Sequence, residues 1–157
     1  MRATLVLLCL TAGCGLAPRS APLPASVAAL AGCYALEYGA WGPEIHDSGL
    51  HSATELPAAI HLTAKPSGWR EGRRGPSLGY MALALSGGTR GYNPFPVWRP
   101  VGTDSVRAGV PIQFGGFNLH LARDGADLRG DVEAYGGPGP PSMRTSVTAR
   151  RIPCPAS

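Results

Sequence analysis

The chain has one lysine, Lys65, among 14 basic residues, and only 15% of its residues are charged. Its formal charge of +4 is mild and is not gathered into the basic stripe that a nucleic-acid recognition element needs. No apolar run approaches the ~20 residues of a membrane-spanning helix. Helical periodicity is almost absent, and no internal repeat is visible. There is no Gly-x-Ser-x-Gly elbow, no phosphate-binding Gly-rich loop and no His-Glu-x-x-His, so the common nucleophilic, nucleotide-dependent and zinc-peptidase chemistries have no foothold. The four cysteines never adopt Cys-x-x-Cys spacing, which argues against a structural zinc site.

Glycine and proline are abundant instead, at 22 and 16 residues. That fraction can signal disorder. Here these residues mostly punctuate short apolar runs, which is the pattern of strands joined by turns.

The N-terminus carries the most specific signal. Arg2 supplies a positive charge, Leu5 to Leu10 form a short apolar run, and Thr11-Ala12-Gly13 are small. This describes an export signal and not a membrane span. Leu10-Thr11-Ala12-Gly13-Cys14 resembles the lipobox of bacterial lipoproteins, with Thr11 at a position where leucine is commoner. The resemblance implies cleavage before Cys14 and lipidation of that cysteine. An ordinary secretory signal, leaving Cys14 a free thiol, is the other reading. Two or three acyl chains would anchor the chain firmly, where one binds only marginally. Gly15 follows the cysteine where an enterobacterial inner-membrane retention signal would place Asp. The resemblance therefore implies a cell-envelope protein on the outer membrane, facing the periplasm.

The expected organisation is a signal peptide at 1–13, a lipidated Cys14 with a Pro- and Ala-rich tether over 14–30, and a β-domain over 31–155. Three prolines, Pro18, Pro22 and Pro24, stiffen the tether toward extended geometry. Val27 to Ala31 suit a short helical turn. Cleavage removes Arg2 and Cys9. Cys33 and Cys154 then remain near the two ends of the domain, in a compartment where disulfides persist. A bond between them is expected; two buried thiols are the alternative.

Strand patterns follow. Tyr34, Leu36 and Tyr38 alternate with Ala35 and Glu37; Ile60, Leu62 and Ala64 alternate with His61, Thr63 and Lys65. Leu78 to Leu85 is apolar on both parities, as in a strand covered on both sides. Val97 and Trp98, between prolines, suit an edge strand. Ser105 to Val110 alternates. Ile112 and Phe114 share one parity and Phe117, Leu119 and Leu121 the other, with a bulge expected at Gly115-Gly116. Arg123-Asp124-Gly125 carries an Asp-Gly turn signal. Leu128 to Tyr135 alternates most cleanly, and Thr145 to Ile152 closes the series. About eight strands predict an all-β fold, a single small antiparallel up-and-down barrel, with a β-sandwich as the alternative. Gly32-Cys33-Tyr34 is similar to the Gly-x-Trp entry of lipocalins, and Leu128-x-Gly130 is similar to lipocalin and avidin-like barrels. This implies a lipocalin-like architecture over residues 31–153.

Candidate functional residues are few. Tyr92, Phe95 and Trp98 surround a proline-rich connection and either line a barrel mouth for a small apolar or lipid-like ligand or plug one end of the core. Glu44, His46, Asp47 and His51 share a loop, but no helix fixes them on one face, so no metal is expected there. His61 and His120 read as outward-facing. Trp69-Arg70-Glu71-Gly72-Arg73-Arg74 is the one basic cluster, and a solvated loop is its simplest reading. Asp131 and Glu133 share one strand face and read as its solvent side. The expectation is a non-enzymatic, cofactor-free envelope lipoprotein. It is attached to the membrane through its lipid and binds either an apolar ligand or an envelope protein, not nucleic acid. A structural or interaction module with a filled core is the alternative to a ligand-binding barrel.

Overall fold

The computed structural model describes residues 23–42, 56–69, 79–87, 93–109, 116–135 and 143–156. One short helix, α1 (Ala25–Leu30), precedes eight strands: β1 (Gly32–Tyr38), β2 (Pro57–Pro66), β3 (Tyr80–Gly87), β4 (Val97–Val101), β5 (Ser105–Gly109), β6 (Gly116–Asp124), β7 (Asp127–Tyr135) and β8 (Met143–Ile152). Every strand pairs antiparallel with its sequence neighbour. β1 also pairs with β8, from Cys33 against Ile152 to Tyr38 against Val147, and closes an up-and-down barrel. The sandwich alternative fails on this pairing, since a sandwich leaves its two sheets with free edges.

Alternation sorts the side chains. Tyr34 and Leu36 of β1, Ile60 and Leu62 of β2, Leu119 and Leu121 of β6, Leu128 and Val132 of β7, and Val147 and Ala149 of β8 are buried in one core. The helix belongs to that core. It runs straight into β1, and its Val27 and Leu30 have no exposed surface. At six residues α1 is too short to be stable alone, so packing holds it. Tertiary bonds tie it down: the Tyr34 hydroxyl donates to the Leu30 carbonyl at 2.9 Å, Arg123 to Ala29 at 3.1 Å and Arg151 to Ala31 at 2.6 Å. The barrel unit thus starts at α1, with the tether ending before it.

Two strand expectations need correction. β4 is not an edge: it pairs with β3 at Trp98–Tyr80 and Met81–Val97, and with β5 at four positions. Its Pro100 lies past its last β3 partner, which is how a proline enters an interior strand. β3 is not covered on both sides. Leu83, on the outward parity across from His61, is 41% exposed, and Ala84, Ser86 and Gly87, past the two residues that pair with β4, are exposed too. The β6–β7 hairpin turns where the Asp-Gly signal placed it: Asp124 ends β6 and Gly125 is the first of two loop residues, with φ 65°, as a Gly-first hairpin turn requires. Ile112, Phe114 and Gly115, and with them the expected bulge, lie outside the described residues.

Candidate functional site

Topology gives the barrel two unlike ends. α1, the β2–β3, β4–β5 and β6–β7 connections and the C-terminal segment share one end. The β1–β2, β3–β4, β5–β6 and β7–β8 connections share the other. Glu44, His46, Asp47 and His51 fall in the second set, outside the described residues. So does Tyr92, from the candidate ligand trio; Cys14, ahead of α1, lies outside the described residues as well.

The other two members of that trio are core residues. Phe95 and Trp98 have no exposed surface. The Trp98 indole N–H donates to the Thr63 carbonyl at 2.8 Å, and its ring lies 5.4 Å from that of Tyr80. Asn93 secures the approach to β4: its amide donates to the Ala82 carbonyl at 2.8 Å and its oxygen accepts from the Phe95 N–H at 3.0 Å. This is how a half-buried polar side chain fixes a turn. Phe95 and Trp98 therefore fill the interior and do not line a mouth.

Where β3 and β4 part, a groove of about 640 Å³ opens, lined by Ser67, Gly68, Trp69, Met81, Ala82, Leu83, Asn93 and Pro96. Its apolar walls owe their exposure to the short β3–β4 ladder. Sequence reading marked Trp69 only as part of a basic loop and missed Leu83, because an apolar run on both parities reads as a buried strand.

Cys33 and Cys154 form a disulfide with α-carbons 5.2 Å apart. Cys33 is buried on the wall opposite His61 of β2, and Cys154 is exposed in the segment after β8. The His61 nitrogen and the two sulfurs lie within 4.8 Å of one another, a spacing a metal could bridge. With the sulfurs bonded to each other, neither thiolate is available as a ligand.

The least expected feature is on the outer wall of β6, β7 and β8. Glu133, read from sequence as solvent-facing, is 8% exposed. Its carboxylate accepts from the Tyr135 hydroxyl at 2.5 Å and from Arg144, and the His120 Nε2 lies 3.5 Å away. Register explains the meeting, since Asn118, Glu133 and Arg144 lie directly across from one another and His120 faces Asp131. Burial pushes the Glu133 carboxyl up, but the Tyr135 bond, the Arg144 charge and His120 outweigh it and hold it below its ordinary range. Tyr135 is shifted up by burial and by Glu133. The His120 Nε2 is itself occluded without a hydrogen-bond partner. Such a network suits a structural clasp: the carboxylate is saturated by donors, which leaves it a poor base. No family model, curated protein or solved structure matches this chain.

Proposed function

We propose that this chain is a lipid-anchored lipoprotein of the bacterial envelope, held by acyl chains on Cys14. Its barrel serves as a non-enzymatic interaction module. The packing of the barrel carries the second half of this reading. Tyr34, Phe95 and Trp98 occupy the interior that a lipocalin-type ligand would need, so recognition falls to the outer surface. The lipobox-like residues Leu10 to Cys14 support the anchor, and a disulfide that joins the first strand to the chain end suits an exported, oxidising setting. Metabolic labelling with a palmitate analogue tests the anchor. Cys14→Ser abolishes labelling and releases the protein from membranes; undiminished labelling would refute the assignment.

A second reading has one specific observation behind it. The groove beside Trp69 and Leu83 has the volume and the apolar walls of a small-ligand site. Native mass spectrometry of the purified protein separates the two readings. A stoichiometric apolar adduct that is lost in Leu83→Asp supports a ligand carrier; a bare mass supports the interaction module.

A further inference from the structure

The four most exposed large apolar side chains among the described residues are Leu23 at 49%, Trp69 at 50%, Leu83 at 41% and Val101 at 52%. Three of them belong to one end of the barrel. Leu23 lies two residues before α1, Trp69 lies three residues past the end of β2, and Val101 ends β4. This is the end that α1 closes.

Cationic groups share that rim. Lys65 near the end of β2 and Arg99 at the middle of β4 are exposed. Arg123 and Arg151 reach the α1 carbonyls there. Among the described residues, the acidic groups of the same end are each engaged: Asp104 with Arg123 at 3.3 Å, Asp124 with Arg129 at 2.7 Å, and Asp127 with the Arg151 backbone N–H at 2.9 Å. An exposed indole with apolar neighbours and a cationic surround is the composition that seats at a bilayer's headgroup level, where anionic lipids add attraction.

The tether limits where this rim can go. Leu23 follows Cys14 by nine residues, which span at most about 32 Å even when fully extended. That is no more than the length of β2, at ten residues and about 33 Å. The chain enters the barrel at the apolar rim, so a lipid on Cys14 brings this end to the bilayer ahead of the other.

We propose that the α1 end of the barrel docks on an anionic lipid bilayer through Leu23, Trp69 and Val101. The tether then acts as a short leash on a protein that rests on its membrane. The proposal rests on the lipid-anchor reading for its geometry, and the contact with lipid can be measured apart from the anchor.

The experiment uses the full chain with vesicles of phosphatidylethanolamine and phosphatidylglycerol whose acyl chains are brominated. Trp98 is buried, and Trp41 packs edge-on against Phe117 at 6.3 Å on the opposite end, so Trp69 is the indole placed to meet lipid. The expected result is strong quenching of tryptophan emission, lost in Trp69→Phe. Leu23→Ser with Val101→Ser should weaken the quenching while the circular dichroism spectrum stays unchanged. Quenching that is absent, or equal in Trp69→Phe, overturns the proposal. Palmitate labelling of Cys14, read on the same samples, separates the two claims. Label without Trp69 quenching defeats the docking alone, and quenching without label defeats the anchor alone.

Discussion

The disulfide between Cys33 and Cys154 closes a loop with a sequence separation of 121 residues, almost the whole barrel. Consider the double substitution Cys33→Ala with Cys154→Ala, which removes the cross-link without leaving a thiol. In the chain-entropy treatment, closing a loop of that length restricts the unfolded chain by about 5 kcal/mol, and measured effects are typically about 2–4 kcal/mol. The native state should change little. Cys154 is exposed, and the six β1–β8 register pairs hold the seam without it. For a chain of this size 1 kcal/mol moves the thermal midpoint by about 3 °C, so a fall of roughly 6–12 °C is expected. Thermal melts followed by far-ultraviolet circular dichroism, with and without a thiol reductant, measure it. The reductant should reproduce the double substitution in the parent and do nothing to the variant. Free thiols located at Cys33 and Cys154 in the oxidised protein, by peptide mapping after alkylation, would refute the reasoning. So would a midpoint shift under about 2 °C, since the cross-link would then constrain nothing that the barrel does not already hold.

Three further outcomes follow from named contacts. Trp98→Ala, which empties a fully buried site, should cost about 3–5 kcal/mol in chemical denaturation. Trp98→Phe should lose about 1–3 kcal/mol by leaving the Thr63 carbonyl without its donor. Gly130→Ala should cost at least about 2 kcal/mol, because its methyl carbon would come 1.9 Å from the His120 carbonyl oxygen; expression yield and melting temperature read the loss. The Glu133 carboxyl is held low in the folded barrel, so its contribution is present above its unfolded pKa of about 4.3 and is lost as pH falls through the lower folded value. Denaturation midpoints should therefore drop in acid more steeply for the parent than for Glu133→Gln; parallel pH profiles would remove the clasp.

The wall of the barrel was legible in the sequence because a strand with one wet face writes its burial as alternation. Tyr34, Leu36, Leu119, Leu121, Leu128 and Val132 follow that rule, and all six are buried. The seam was legible by a different route, through two cysteines beside the first and last strands. Alternation failed where a strand's surroundings change along its length. β3 is apolar on both parities, but β4 covers only its beginning, so the same pattern that denotes a doubly buried strand here lines an open groove. Aromatic residues beside prolines left a choice for a related reason. Phe95 and Trp98 suit a plug better than a mouth, and the partners of the Trp98 indole and of Asn93 decide for the plug.

Glu133 shows what alternation cannot carry at all. Its parity is outward, and a carboxylate there is ordinarily wet. What buries it is a set of cross-strand neighbours, Tyr135 on its own strand, Arg144 on β8 and His120 on β6, each outward by its own parity. Burial on an outer wall is a property of register, and register between strands depends on connection lengths that the residue pattern does not encode. The same logic assembles the proposed docking surface. Leu23, Trp69 and Val101 are distant in sequence and unremarked by any motif, and they become one rim only when closure of β1 on β8 sets α1 beside the β2–β3 and β4–β5 connections. Among the described residues the inward side chains are constrained by packing, and both the groove and the rim lie outside that constraint.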